Sequence, residues 1–109
     1  MAEPNKTEQT NGPKELELDG VKFTVDTDLL DDVDAFALIN KIENENQITA
    51  VVPLMHFLVG KEEFERIRAE FTALDAKAHE GEKGYKPRLR IAKLGEIYQQ
   101  IIKNFDPKG

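Results

Sequence analysis

The sequence predicts a mainly α (α+β) fold: an N-terminal β-hairpin packed on a bundle of about four helices. Three observations predict it. In KELELDGVKFTV, apolar and polar residues alternate on both sides of Asp19-Gly20. In VVPLMHFLVGKEEFERIRAEF, Val51 to Phe71, two apolar helical segments hinge at Gly60. Near the end, Ile91, Leu94, Ile97 or Tyr98, Ile101 and Phe105 recur at helical spacing.

The elements follow in order. Residues 1–13 are polar and rich in Asn, Thr, Glu, Gly and Pro, a composition that predicts a disordered arm. A single domain then spans residues 14–105, and 106–109 form a flexible tail. In the hairpin, Leu16 and Leu18 alternate with Glu15 and Glu17, and Val21, Phe23 and Val25 with Lys22 and Thr24. Asp19-Gly20 suits a type I′ turn, because Gly tolerates positive φ. A lone hairpin is marginal in water, so its apolar face must pack on the helices.

Thr27, Asp28, Asp31 or Asp32 can each cap the first helix, and acidic groups favour the positive end of its dipole. Its buried stripe is Ala35, Leu38, Ile39 and Ile42, with Phe36 nearby, and the pattern fades at Glu43 to Gln47. The second helix runs from about Thr49 to Val59. Pro53 must lie in or near its first turn, where no backbone donor is needed. Val52, Met55 and Val59 share a face, and Gly60 is a natural stop. The third helix, about Lys61 to Leu74, carries Phe64, Ile67, Phe71 and Leu74 on one stripe, with Glu62, Glu65, Arg68 and Glu70 between them.

Asp75 to Pro87 has two glycines and no apolar period, and reads as a mobile loop. Pro87 suits the first position of the last helix. Gly95 costs about 1 kcal/mol there relative to Ala, which a close helix crossing would explain. The expected core is Leu18, Phe23, Phe36, Leu38, Ile39, Leu54, Leu58, Phe64, Ile67, Phe71, Leu94 and Ile101.

Composition narrows the function. A chain of 109 residues holds one core. It has no cysteine, so a disulfide framework and a thiolate metal site are excluded. The first residues contain no apolar run of the signal-peptide kind. The longest nearly uncharged apolar run, Ile48 to Gly60, is too short to span a bilayer. A soluble cytoplasmic protein without a membrane partner is expected. The formal net charge is -6, unevenly spread. Asp26 to Asn46 is acidic, with Lys41 as its sole cation, and Lys86 to Gly109 is mostly basic. The acidic part argues against nucleic-acid binding, which needs a positive field. The asymmetry is either a solvated surface dipole or a basis for salt-sensitive, head-to-tail homo-oligomers or for an oppositely charged partner.

Catalytic and metal motifs fail on inspection. A calcium loop starting at Asp26 would place Leu30 at its fifth position and Asp31 at the sixth, where Gly is needed. His56 and His79 form no paired metal motif. His56 belongs at a packed helix edge and His79 in the loop. GxSxG, GxxxxGK[ST] and GxGxxG do not occur. Without Trp, and with Tyr85 and Tyr98 isolated, stacking on single-stranded nucleic acid is unsupported. No enzyme and no cofactor are expected; the pattern is that of a helical domain that works by binding.

The order of segments carries a resemblance. ELELDGVKFTV leads into TDLLDDVDAFALINKIE, then VVPLMHFLVG and KEEFERIRAEF. This resembles the tail assembly chaperones of long-tailed bacteriophages, in particular small ones from phages and prophages of Gram-positive bacteria. In that family an "L-D-G-x-x-F-x-V" strand pair precedes an acidic, apolar helix. An "x-x-P-x-L-x-x-L-L-G" helix and an "x-E-x-Y/F-E-x-L/I" helix follow. Pro53, Leu54, Phe57, Leu58 and Gly60 fall on the former, and Glu63, Phe64, Glu65 and Ile67 on the latter. The resemblance covers roughly Leu16 to Leu74 and extends loosely to Arg88–Phe105. The family more often turns sharply where this chain has Asp75 to Pro87.

The resemblance implies a non-catalytic helper that binds and solubilises the tape measure protein during tail morphogenesis. It works in the host bacterial cytoplasm and is absent from the mature virion. The major tail tube protein is a second expected partner. Contact is expected through Met55, Phe57, Val59, Tyr98 and Ile102, at the margins of their stripes. The resemblance also implies two product lengths made by ribosomal frameshifting. Asp106-Pro107-Lys108 permits a slippery heptamer, since GAC CCA AAG contains C CCA AAG. Two other readings stay open: a small homo-oligomeric adaptor without a phage role, and an acidic nucleic-acid mimic. A mimic needs carboxylates along two lines, and Asp26 to Asp34 is a single cluster.

Overall fold

The structure, a computed structural model, describes residues 11–106. A two-stranded antiparallel sheet, β1 (Pro13–Leu18) and β2 (Val21–Asp26), precedes four helices: α1 (Val33–Glu45), α2 (Val51–Val59), α3 (Lys61–Ala78) and α4 (Ile91–Lys103). The fold is mainly α with a small hairpin, as the sequence predicts. Leu16 pairs with Phe23 and Leu18 with Val21. Asp19 and Gly20 both have positive φ, 54° and 87°, the backbone of a type I′ turn. This register puts Leu16, Val21, Phe23 and Val25 on one face, buried against the helices.

The open end of the hairpin is closed by Thr27 and Gly12. The Thr27 amide donates to the Gly12 carbonyl at 2.9 Å, and the Gly12 amide donates to Thr27 Oγ1 at 3.1 Å. Thr27 is fully buried, and this exchange satisfies its hydroxyl. Beside it, Asn11 Nδ2 donates to the Asp106 carbonyl at 2.6 Å and the Asp106 amide returns a bond to Asn11 Oδ1 at 2.9 Å. The arm expected over residues 1–13 does not include its last three: Asn11 and Gly12 are bonded into the domain and Pro13 begins β1. Asp106, assigned to the tail, is bonded in as well. The remainder of both segments, 1–10 and 107–109, lies outside the described residues.

Asp26 caps a short 3-10 turn, Thr27–Leu30, and Asp32 caps α1 by accepting from the amides of Asp34 and Ala35 at 2.8 and 3.1 Å. Ala35, Ile39 and Ile42 are the buried stripe of α1, with Leu38 half-buried. Phe36, expected in the core, is 60% exposed. It follows Ala35 directly, which turns it about 100° away from that stripe. A 3-10 turn, Ile48–Ala50, feeds α2, so the α-helix starts two residues later than expected. Pro53 is its third residue, where an amide has no intrahelical partner. Gly60, at φ 89° and ψ 157°, ends α2 and starts α3.

Helix α3 continues four residues beyond Leu74, to Ala78. The apolar period ends at Leu74, but Ala76, Lys77 and Ala78 are strong helix formers and carry the backbone on. Helix α4 starts at Ile91, four residues after Pro87, so Pro87 is not its first residue. Arg90 at its N-cap is extended and caps no amide with its side chain. Residues 85–90 form no regular structure.

Phe64, Leu30, Leu54, Met55, Ile67, Ile97 and Ile101 form the centre of the core. Of the expected core, Leu18 and Leu38 are only half-buried and Phe36 lies outside; the other nine are buried. Arg66 ties α3 to the hairpin. Its Nη2 donates to the Lys22 carbonyl at 2.8 Å, and the guanidinium also pairs with Glu63 and Glu70. Among the described residues no helix is long and apolar enough to cross a membrane.

Candidate binding surfaces

Two concave surfaces have apolar floors and charged rims. The first is a cleft of about 300 Å³ between the end of α3 and the start of α4. Phe71, Leu74, Ala78 and Leu89 form its apolar walls; Arg88, Arg90 and Lys93 make its rim basic, with Asp19 at the hairpin turn and Asp75 opposite.

The loop read as mobile builds this cleft. The Tyr85 hydroxyl donates to Asp75 Oδ2 at 2.6 Å, and the Arg88 amide donates to the same oxygen at 3.0 Å. The His79 ring stacks on Tyr85 with centroids 3.9 Å apart. The Arg88 guanidinium lies over the Tyr85 ring, 5.3 Å from its centroid, and Arg90 Nη1 donates to the Tyr85 hydroxyl at 3.0 Å. The bond from Tyr85, helped by the Arg88 amide and by the charges of His79 and Arg90, holds the Asp75 carboxyl below its ordinary range against partial desolvation.

Lys93 pairs with Asp19 and Glu96, and its ammonium stands 6.0 Å from the Phe71 ring centroid. The hydrogen bond to Asp19 is the main reason its pKa is raised. Arg88 and Arg90 differ from Lys93. Among the described residues they form no ion pair; their guanidinium bonds go to the Lys86 carbonyl and the Tyr85 hydroxyl, both neutral.

The second surface lies at the start of α1. Leu30, Val33, Phe36 and Phe105 line a shallow depression of about 430 Å³, with Asp31 and Asp32 at its edge. Val33 is 84% exposed. The acidic segment before it does structural work: Asp26 and Asp32 cap successive turns. Among the described residues no group of three or more His, Asp or Glu is placed to hold a metal ion. His56 stands at a helix edge, as expected, with its ring edge-on to Phe64 at 5.2 Å.

The five expected contact residues do not form one surface. Met55 and Tyr98 are in the core, which corrects the expectation that they lie at stripe margins. Met55 is fully buried beside Leu54, and the second helix therefore buries two adjacent positions. Tyr98 and Ile97 are both buried on α4. The Tyr98 hydroxyl donates to Glu43 Oε2 at 2.6 Å, and burial, with that carboxylate, pushes its pKa well up. Val59 and Ile102 are half-buried against the core, and Phe57 is 41% exposed. Sequence reasoning missed Val33 and Phe36 as surface groups. The signal was present in the phase of Ala35, Ile39 and Ile42, which leaves Phe36 outside. Comparison of the chain with family models, with curated proteins and with solved structures finds no match.

Proposed function

We propose that this chain is a non-catalytic tail assembly chaperone that binds and solubilises the tape measure protein in the host bacterial cytoplasm, before the tail tube forms around it. The observation that carries the reading is a set of large apolar side chains, among them Val33, Phe36 and Phe57, left outside a core that is already closed. The segment order of Leu16 to Leu74 gives the reading its phage setting. A tape measure is a long chain of amphipathic helices that lacks partners until tube subunits arrive. A small domain can cover such a stripe in the helix-in-groove manner, with its net charge of -6 keeping the complex dispersed. Phe57 is the most exposed of the residues expected to meet the client, with Val59 and Ile102 beside their helices' core contacts. The major tail tube protein is a second partner in this scheme, and the domain is absent from the finished virion.

Co-purification tests the reading. An affinity-tagged copy is expressed with the tape measure protein of the same phage or prophage. Co-elution, reduced by Phe57→Ser, is the expected result. Failure of the tape measure to co-elute with the folded, tagged wild type overturns it.

A further inference from the structure

We infer that the cleft between the end of α3 and the start of α4 is a carboxylate clamp: it takes the C-terminus of a partner polypeptide whose last side chain is large and apolar. The inference stands apart from the chaperone reading, since Val33, Phe36 and Phe57 do not line this cleft.

The cleft faces a locally positive stretch of an acidic chain. From Lys83 to Lys93 there are five cations and no acid, against a net charge of -6 for the whole. The charges in the cleft itself do not all count as free. Lys93 is paired with Asp19 and Glu96, and Asp75 is occupied by the Tyr85 hydroxyl and the Arg88 amide. Two guanidiniums are left without a carboxylate partner among the described residues. Arg88 gives Nη1 to the Lys86 carbonyl and Arg90 gives Nη1 to the Tyr85 hydroxyl, so each keeps two nitrogens with no hydrogen bond among the described residues. Both are held on the same ring, Tyr85, which is itself bonded to Asp75 and stacked by His79. The rim is thus organised before a ligand arrives, which lowers the ordering cost of binding. An arriving carboxylate exchanges water for charge-assisted bonds, about twice as strong as neutral ones.

Volume and sign choose the occupant. The cleft is about 300 Å³, the lower limit for small-molecule sites and room for one large side chain on the walls of Phe71, Leu74, Ala78 and Leu89. Asp19 and Asp75 also line it, so a run of acidic residues would bring like charges together. One anion next to one apolar group is the match. A C-terminal residue carries both on a single Cα, its side chain for the walls and its carboxylate for the two guanidiniums.

The chain contains no Trp, so a Trp-ending peptide reports its own binding by fluorescence anisotropy. Three probes are titrated with the protein at low salt: acetylated Gly-Ser-Gly-Trp with a free C-terminal carboxylate, the same peptide amidated, and amidated Gly-Ser-Glu-Trp, whose carboxylate sits on a side chain. The free acid is expected to bind about tenfold or more tightly than either amide, and more weakly as salt is added. The double variant R88Q/R90Q is expected to lose that advantage and to bind the acid and the amide alike. Both arginines are exposed, and circular dichroism checks that the variant folds. A wild type that does not bind the free acid at about 1 mM, equal binding of the acid and either amide, or a folded double variant that prefers the free acid as the wild type does would each overturn the inference.

Discussion

The Tyr85 hydroxyl donates a 2.6 Å hydrogen bond to the Asp75 carboxylate and so fastens the glycine-containing loop to the last turns of α3. The bond favours the ionised carboxylate, whose folded pKa is held below its unfolded value. Asp75 therefore contributes stability above the ordinary carboxylate range, near pH 3.9, and loses it as pH falls through the lower folded value. An NMR titration of the Asp75 carboxyl should show a midpoint below that of an unfolded peptide. In Tyr85→Phe the midpoint should rise, because the largest cause is gone. Equal midpoints in the two proteins would mean that Tyr85 does not set the charge state of Asp75.

Phe71 and Phe36 make a contrasting pair. Phe71 is 3% exposed and Phe36 is 60% exposed. Phe71→Ala should cost about 3–5 kcal/mol, the usual loss for a buried aromatic. Phe36→Ala should change stability by about 0.5 kcal/mol or less, as surface substitutions do. Urea unfolding at low protein concentration measures both. A large loss at Phe36 would place that ring in the core.

Gly95 has room to spare. An added Cβ would meet only Ile48 Cδ1, at 3.9 Å, which is ordinary contact. No close crossing requires the glycine, contrary to the sequence-based expectation. Gly95→Ala should therefore stabilise the domain by about 0.5–1 kcal/mol through helix propensity and a less free unfolded chain. Thermal unfolding should show a higher Tm; a lower one would mean that α4 needs closer packing there than Ile48 imposes.

The hairpin was legible because period-two alternation and Asp-Gly state the same answer at two levels. The stripe of α3 was legible for the same reason at Phe64, Ile67 and Phe71, with charges in the gaps between them, while Leu74 at its end is 39% exposed. Errors arose where one signal stood alone. The apolar ring of Phe36 points to the core by composition, although only helical phase decides its direction. The loss of apolar period marks an end of α3 at Leu74, although Ala76 and Ala78 continue the helix without it. Pro87 suits a helix start, although three residues separate it from Ile91 and one of them, Arg90, is extended. Of the expected contact residues, Met55 and Tyr98 fell inside because α2 and α4 bury a broader face than a single stripe. The basic cleft was not legible at all. It depends on Asp75 gathering Tyr85 and the Arg88 amide from ten and thirteen residues along the chain.

The most direct test of the central claim, that this domain acts by covering an apolar helical client, is the partition of the tape measure protein between supernatant and pellet. The client is expressed at equal levels alone, with the wild type, and with Phe57→Ser. The account predicts a pelleted client alone, a largely soluble one with the wild type, and an intermediate result with the variant. A client that stays equally insoluble beside abundant, folded wild-type protein would contradict it.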